Sequence, residues 1–124
     1  MSKQMEKSKG LRKVSVPVDQ TISEEILDTI VERLVALASP VRIILFGSMA
    51  RGEAQPQSDL DLLIVEKEVA EPYDEALRLD RALRDLMAPL DLVVVSEDQF
   101  NRYSRVPGTI YYRSLKEGQI LYAQ

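Results

Sequence analysis

The sequence of 124 residues contains no cysteine, no histidine and no tryptophan. Without cysteine it can form neither a disulfide nor a thiolate metal site. Without histidine, a general base in any active site must be a carboxylate, a lysine or a tyrosine. No apolar run approaches the roughly 20 residues of a membrane helix, and the N-terminus lacks the apolar core of a signal peptide. We therefore expect a cytoplasmic protein with no membrane partner.

The length allows one domain with a real core and is too short for two. A net charge of −4 argues against direct contact with nucleic acid, which favours a basic surface. Positive charge is nevertheless concentrated in residues 1–13, which hold four lysines and Arg12. We predict a flexible basic arm over residues 1–20, either simply solvated or in contact with a partner, and a folded domain over residues 21–124.

Apolar spacing divides the folded part into helices and strands. Apolar residues at every fourth position predict a first helix over 21–39, which a capping box of Thr21 and Glu24 begins. Short apolar runs predict strands over residues 41–46, 60–65, 90–96 and 120–122. The remaining helices are predicted over residues 72–87, 97–104 and 109–117, the second of them capped by Ser96.

The stretch VRIILFGSMARGEAQPQSDLDLLIV, residues 41–65, reads as strand, tight turn, polar loop and strand. The small residues Gly47 and Ser48 at the turn let a ligand approach the backbone closely. A short helix over 48–52 would direct its first N–H groups at this turn, an arrangement that binds phosphate. Arg51, one turn along, is either a fork-shaped phosphate donor or a surface arginine.

Three aspartates mark the starts of two predicted strands. Strand alternation directs Asp59 and Asp61 to one face, with their Cα atoms roughly 6.5–7 Å apart. Such a pair resists joint ionisation unless a cation neutralises it, and oxygen ligands suit Mg²⁺ or Mn²⁺. For the two acids alone, the better interpretation is a turn residue at Asp59 and a solvent-facing side chain at Asp61; the Gly-Ser turn after an apolar strand favours the metal site. Asp91, at the start of the run LDLVVVS, is either a strand-end acid near solvent or a third carboxylate aimed at the same site.

The pattern of Gly-Ser, ten residues and then DLD resembles the signature of the DNA polymerase beta-like nucleotidyltransferase superfamily. More closely, GSMARGEAQPQSDLDLLIV is similar to the minimal nucleotidyltransferases, or MNT proteins, which often act as antitoxins paired with HEPN-domain toxins. The resemblance covers roughly residues 21–124. It implies an α+β fold: a small mixed β-sheet of three to four strands with helices packed on one face.

The resemblance also implies the roles of individual residues. It assigns catalysis and metal binding to Asp59, Asp61 and Asp91. It assigns nucleotide binding to Gly47, Ser48 and Arg51, the last because an arginine recurs in the family pattern GSxARG. The implied cofactor is Mg²⁺ or Mn²⁺, and the implied substrate is ATP.

The size of the chain indicates how the molecule that accepts the nucleotide is bound, because larger relatives carry a further domain that helps to bind this acceptor. We therefore expect the acceptor to be presented by a separate protein or a second copy of this chain. By resemblance, the leading expectation is transfer of AMP to a tyrosine of a cognate HEPN toxin, within a hetero-oligomer. Two alternatives remain open: an antitoxin that blocks its partner by binding alone, and an antibiotic-type adenylyltransferase that modifies a small molecule.

Overall fold

The computed structural model describes residues 23–47 and 59–124. Its strands are β1 (Arg42–Phe46), β2 (Leu60–Glu66), β3 (Leu90–Ser96) and β4 (Gln119–Ala123). They form one four-stranded sheet in the order β3-β2-β1-β4. Strand β1 pairs antiparallel with both β2 and β4, whereas β2 and β3 run parallel. The sheet is therefore mixed, as predicted, and all four predicted strands are present.

The helices are α1 (Glu24–Ala38), α2 (Pro72–Ala82), α3 (Glu97–Tyr103) and α4 (Ile110–Glu117), with a 3-10 turn at Arg84–Leu86. The helix predicted over 72–87 therefore extends past the observed end of α2 at Ala82. The residues that follow form the 3-10 turn, and Met87 adopts a left-handed conformation with φ 55°. Within the described ranges, no helix is long and apolar enough to cross a membrane.

Hydroxyl side chains fix the starts of three helices, including α4, where Thr109 accepts a hydrogen bond from the Tyr112 N–H at 3.1 Å. The Ser23 hydroxyl accepts a hydrogen bond from the Ile26 N–H at 3.2 Å, so α1 begins at Glu24. The predicted capping residue, Thr21, lies outside the described residues. The predicted cap of α3 is confirmed, since Ser96 accepts a hydrogen bond from the Gln99 N–H at 3.1 Å. Such caps satisfy amide groups that have no partner within the helix.

Alternation along the strands gives the sheet two distinct faces. The first face, with Leu60, Leu62 and Ile64 of β2, packs against apolar residues of α1 and α2. The second face, with Leu63 and Val65, packs against α3 and α4, whose contacts on it are Phe100 and Tyr111. The predicted fold class is confirmed, with the addition that two short helices also lie on the second face.

Two arginines connect the helices of the first face. Arg33 of α1 forms a forked ion pair with Asp85, with N···O distances of 2.6 and 3.0 Å. Arg78 of α2 donates from Nη2 to the Leu37 carbonyl at 3.1 Å. The Arg78 contact holds α2 against the end of α1, where carbonyl groups lack partners within the helix, and the Arg33 contact joins α1 to the 3-10 turn after α2.

One acid lies on the first face beside charged residues of α2. Glu66 ends β2 and is only 7% exposed, and within the described residues no donor bonds to its Oε2. Burial raises the pKa of Glu66 to about 8, reinforced by the hydrogen bond that its protonated carboxyl donates to Glu75 and by the charge of Glu75, whereas Arg78 opposes this shift. The opposite holds for Glu75, whose pKa is lowered, chiefly by its hydrogen bond to Arg78.

Glu66 makes the stability of the fold depend on pH. The Glu66 carboxyl releases its proton near pH 4.5 in the unfolded chain and near pH 8 in the folded protein. Between these two pH values the folded state therefore binds more protons than the unfolded state. Stability therefore falls as pH rises through this window, by up to about 1.4 kcal/mol per pH unit, and levels off above it. Urea unfolding at pH 5, 6.5 and 8 measures the slope.

Glu66→Gln copies the protonated side chain and should flatten that slope. The matched control is Glu68→Gln, at an exposed acid two residues on, which should keep the wild-type slope. If Glu66→Gln kept the wild-type slope, the protonation of Glu66 would not be the cause of the pH dependence of stability.

Candidate active site

The parallel ladder places two of the predicted acids side by side. Asp61 of β2 pairs with Asp91 of β3, each as the second residue of its strand. Neighbouring strands are roughly 4.8 Å apart, and residues in register share a face of the sheet. The Leu60 N–H donates to the Pro89 carbonyl at 2.8 Å and fixes the start of this ladder. Asp61 is half-buried and Asp91 is exposed.

Asp59 lies one residue before β2 and is exposed. Strand alternation therefore does not extend to it, so the common direction predicted for Asp59 and Asp61 stays a prediction. In the part of the chain that the structure describes, no three acidic side chains form a group that could hold a metal ion. The structure thus brings together Asp61 and Asp91, and the role of Asp59 stays a prediction.

Gly47 directly follows β1 and lies against Asp61. Its φ is +80°, a left-handed conformation that favours glycine. A Cβ atom here would overlap Oδ2 of Asp61 and lie 3.1 Å from its Cγ. The sequence predicted that this glycine opens the backbone to a ligand. The structure adds that it provides the space that the Asp61 carboxylate occupies.

The remaining predicted nucleotide-binding residues, Ser48 and Arg51, lie outside the described residues. The same holds for the short helix predicted over 48–52 and for the basic arm predicted over 1–20. Their roles therefore stay predictions.

The donor chemistry of the site fits a hard divalent cation. Carboxylate oxygens are the ligands that Mg²⁺ takes in proteins, and two carboxylates on adjacent strands repel each other until a cation neutralises them. Gly47 lies at the same edge, and the Asp61 carboxylate fills the space that a side chain there would take. The arrangement is suited to a metal-bound phosphate ester.

Sequence reasoning overlooked Glu66, the one buried carboxylate among the described residues. The sequence did indicate that Glu66 is buried, because Leu60, Leu62 and Ile64 occupy every second position of the strand and share one face. Glu66 is the next residue in that series. The same alternation directs Asp61 to the opposite face. The alternation along β2 therefore places Asp61 and Glu66 on opposite faces of the sheet.

Comparison with known proteins places the chain in a family. A family model described as a nucleotidyltransferase domain matches residues 27–122. A protein of Methanocaldococcus jannaschii with the provisional name protein adenylyltransferase is 34% identical over 82 residues, which cover 65% of this chain and 77% of that protein.

Two solved structures are similar in fold. A Sulfolobus solfataricus protein provisionally described as a nucleotidyltransferase matches with a TM-score of 0.50 and 25% identity, over 63% of this chain and 70% of that one. The second is a chain of a complex described as a tri-AMPylated Shewanella oneidensis HEPN toxin with MNT antitoxin. It matches with a TM-score of 0.51 over 83% of this chain and 74% of that one, and at 18% identity it shows the fold alone. Since the family model spans more than half of the sequence, the chain belongs to the nucleotidyltransferase domain family.

Proposed function

We propose that this protein is a metal-dependent adenylyltransferase that moves AMP from ATP to a tyrosine hydroxyl of a cognate HEPN toxin and so acts as its antitoxin. The observation that carries the proposal is the pairing of Asp61 with Asp91 beside Gly47. Support comes from the M. jannaschii relative, named for protein adenylylation, and from the S. oneidensis complex, described as an AMPylated HEPN toxin with its antitoxin.

In this proposal the acids Asp59, Asp61 and Asp91 hold the divalent cations. Bound cations would neutralise charge on both the attacking and the leaving oxygen. The backbone of the turn at Gly47 and the Ser48 hydroxyl receive the β- and γ-phosphates. Arg51 contributes a forked donor to the phosphates.

The reaction exchanges one P–O bond for another. The tyrosine oxygen attacks the α-phosphorus, the bond from that phosphorus to the oxygen bridging to the β-phosphate breaks, and pyrophosphate leaves. Asp91 takes the proton of the attacking hydroxyl as general base. Its exposure suits this role, because the side chain of a separate protein must reach it, whereas the half-buried Asp61 is held over Gly47.

The first test is transfer of label from ATP. Incubation of the wild-type protein with labelled ATP, Mg²⁺ and the product of the adjacent gene should label a tyrosine of that partner. Asp59→Asn combined with Asp61→Asn should lower labelling by at least about 100-fold, because the cation loses two of its ligands.

Asp98→Asn is the matched control, since Asp98 is an exposed acid on α3 whose ion pair is with Arg102. It should label the partner at the wild-type rate. Absence of label while the wild-type complex stays intact would contradict the proposal. If the double variant still neutralises the partner as well as wild type, antitoxin action requires binding alone.

The second test separates backbone strain from the contact with Asp61. Gly47→Ala should lower transfer at least about tenfold, because its methyl group displaces the Asp61 carboxylate. Gly108→Ala is the control, since Gly108 also has a positive φ, of +93°, but a Cβ there meets nothing within 4 Å.

Both alanine variants should lose roughly 1–3 kcal/mol of stability from left-handed strain, as thermal unfolding will measure. Only Gly47→Ala should lose activity beyond its loss of folded protein. Equal activities of the two variants, measured per folded molecule, would contradict the role given to the Gly47–Asp61 contact.

A further inference from the structure

Tyr73 is the most exposed tyrosine of this chain. It lies in the first turn of α2 and is 75% exposed, against 37% for Tyr103. The other three tyrosines of the sequence, Tyr111, Tyr112 and Tyr122, are half-buried. An enzyme that transfers AMP to a tyrosine hydroxyl therefore carries an accessible hydroxyl of the same chemical class on its own surface.

Tyr73 lies too far from the acid pair of its own molecule to react there. Asp61 is near the start of β2 and Glu66 ends it, so these two residues are roughly 17 Å apart at about 3.3 Å per residue. The beginning of α2 stays beside Glu66, since Glu66 and Asp74 line one cavity of about 410 Å³. Helix α2 also covers the first face of the sheet, whereas the acid pair lies on the second. The hydroxyl can therefore reach such a site only in a second copy.

Two stretches of the chain have opposite charge. The acidic segment, residues 68–77 around Tyr73, holds four acids and no cation. The basic stretch, residues 99–116 of α3, α4 and their connection, holds four cations and no acid. Arg105, Arg113 and Lys116 of this stretch are exposed. Opposite charges of this kind favour the association of one copy with another.

Helix α4 brings the basic stretch to the edge of the candidate active site. Directly after this helix, Gln119 pairs with Leu45, two residues before Gly47. On the second face, Tyr111 of α4 packs in the same apolar cluster as Phe46, the residue before Gly47. An acidic segment that docks on the basic stretch therefore lies beside the catalytic end of the sheet.

We propose that Tyr73 is a site of self-adenylylation, modified by a second copy of this chain. The inference rests on the transferase activity proposed above. The basic stretch of the catalytic copy holds the acidic segment of the acceptor copy, whose Tyr73 hydroxyl oxygen attacks the α-phosphorus of ATP. The bond from that phosphorus to the oxygen bridging to the β-phosphate breaks, and pyrophosphate leaves. The tyrosine proton passes to Asp91 of the catalytic copy.

Incubation of the full chain with ATP and Mg²⁺, followed by intact-mass and peptide mass spectrometry, tests the proposal. The chain should gain an adenylyl group at Tyr73. Because the reaction requires an encounter of two copies, its rate per chain should rise with protein concentration. Tyr73→Phe should abolish the modification, whereas Tyr103→Phe, at the next most exposed tyrosine, should keep the wild-type rate.

A mixture of two variants separates transfer between copies from transfer within one copy. Asp61→Asn retains the acceptor tyrosine but loses a cation ligand, whereas Tyr73→Phe retains the acid pair but lacks the acceptor. Neither variant should be modified alone. In the mixture, the adenylyl group should appear on the Asp61→Asn chain and not on the Tyr73→Phe chain.

Charge reversal in the Tyr73→Phe chain of this mixture tests the docking of the acidic segment. At saturating ATP, Arg105→Glu combined with Arg113→Glu should lower the transfer rate at least about tenfold, because the basic stretch then repels the acidic segment. Arg81→Glu combined with Arg84→Glu is the matched control, since these exposed arginines lie on the first-face side of the catalytic copy. It should leave the rate within about twofold of that of Tyr73→Phe alone.

Addition of the adjacent-gene product as a second acceptor distinguishes failure of this inference from failure of the proposed function. Label on that partner with none on Tyr73 overturns self-adenylylation alone, whereas label on neither overturns the transferase activity itself. A rate per chain that is independent of protein concentration overturns transfer between copies, as does an unmodified Asp61→Asn chain in the mixture. An unchanged rate after reversal of Arg105 and Arg113 overturns the docking of the acidic segment on the basic stretch.

Discussion

The parallel register between β2 and β3 is the constraint on which the placement of Asp61, Asp91 and Glu66 depends. Seven consecutive pairs run from Leu60 with Leu90 to Glu66 with Ser96, without a bulge. A slip of one residue would send every side chain of a strand to the other face, and Asp91 would then lie on the first face, with α1 and α2. The same register that directs Asp61 to the second face directs Glu66, five residues later, to the first face, which α1 and α2 cover.

The two faces give carboxylates opposite properties. On the second face, Asp61 and Asp91 lie near solvent with a glycine beside them, a setting that suits a charged ligand and a partner protein. On the first face, Glu66 lies buried beside Glu75 and Arg78 of α2, and burial favours its protonated form. One small sheet thus presents an acid pair to solvent and holds a third acid neutral within its core.

Local signals predicted much of this arrangement. The apolar run over 90–96 gave the limits of β3, and the Ser96 cap marked the start of α3, because both depend on neighbouring residues. The end of α2 was missed, since Leu83 and Leu86 continue a helical spacing through the 3-10 turn. The contact between Gly47 and Asp61 and the cavity at Glu66 depend on pairing between distant segments, which periodicity in one strand does not specify.

The most direct test of the central claim is a crystal structure of the protein with Mg²⁺ and a non-hydrolysable ATP analogue. The account predicts a cation coordinated by carboxylate oxygens of Asp61 and Asp91 at about 2.1 Å. It also predicts the nucleotide phosphates against the backbone of Gly47. A cation that contacts neither carboxylate, or a nucleotide bound on another surface, would contradict the assignment of this edge of the sheet as the active site.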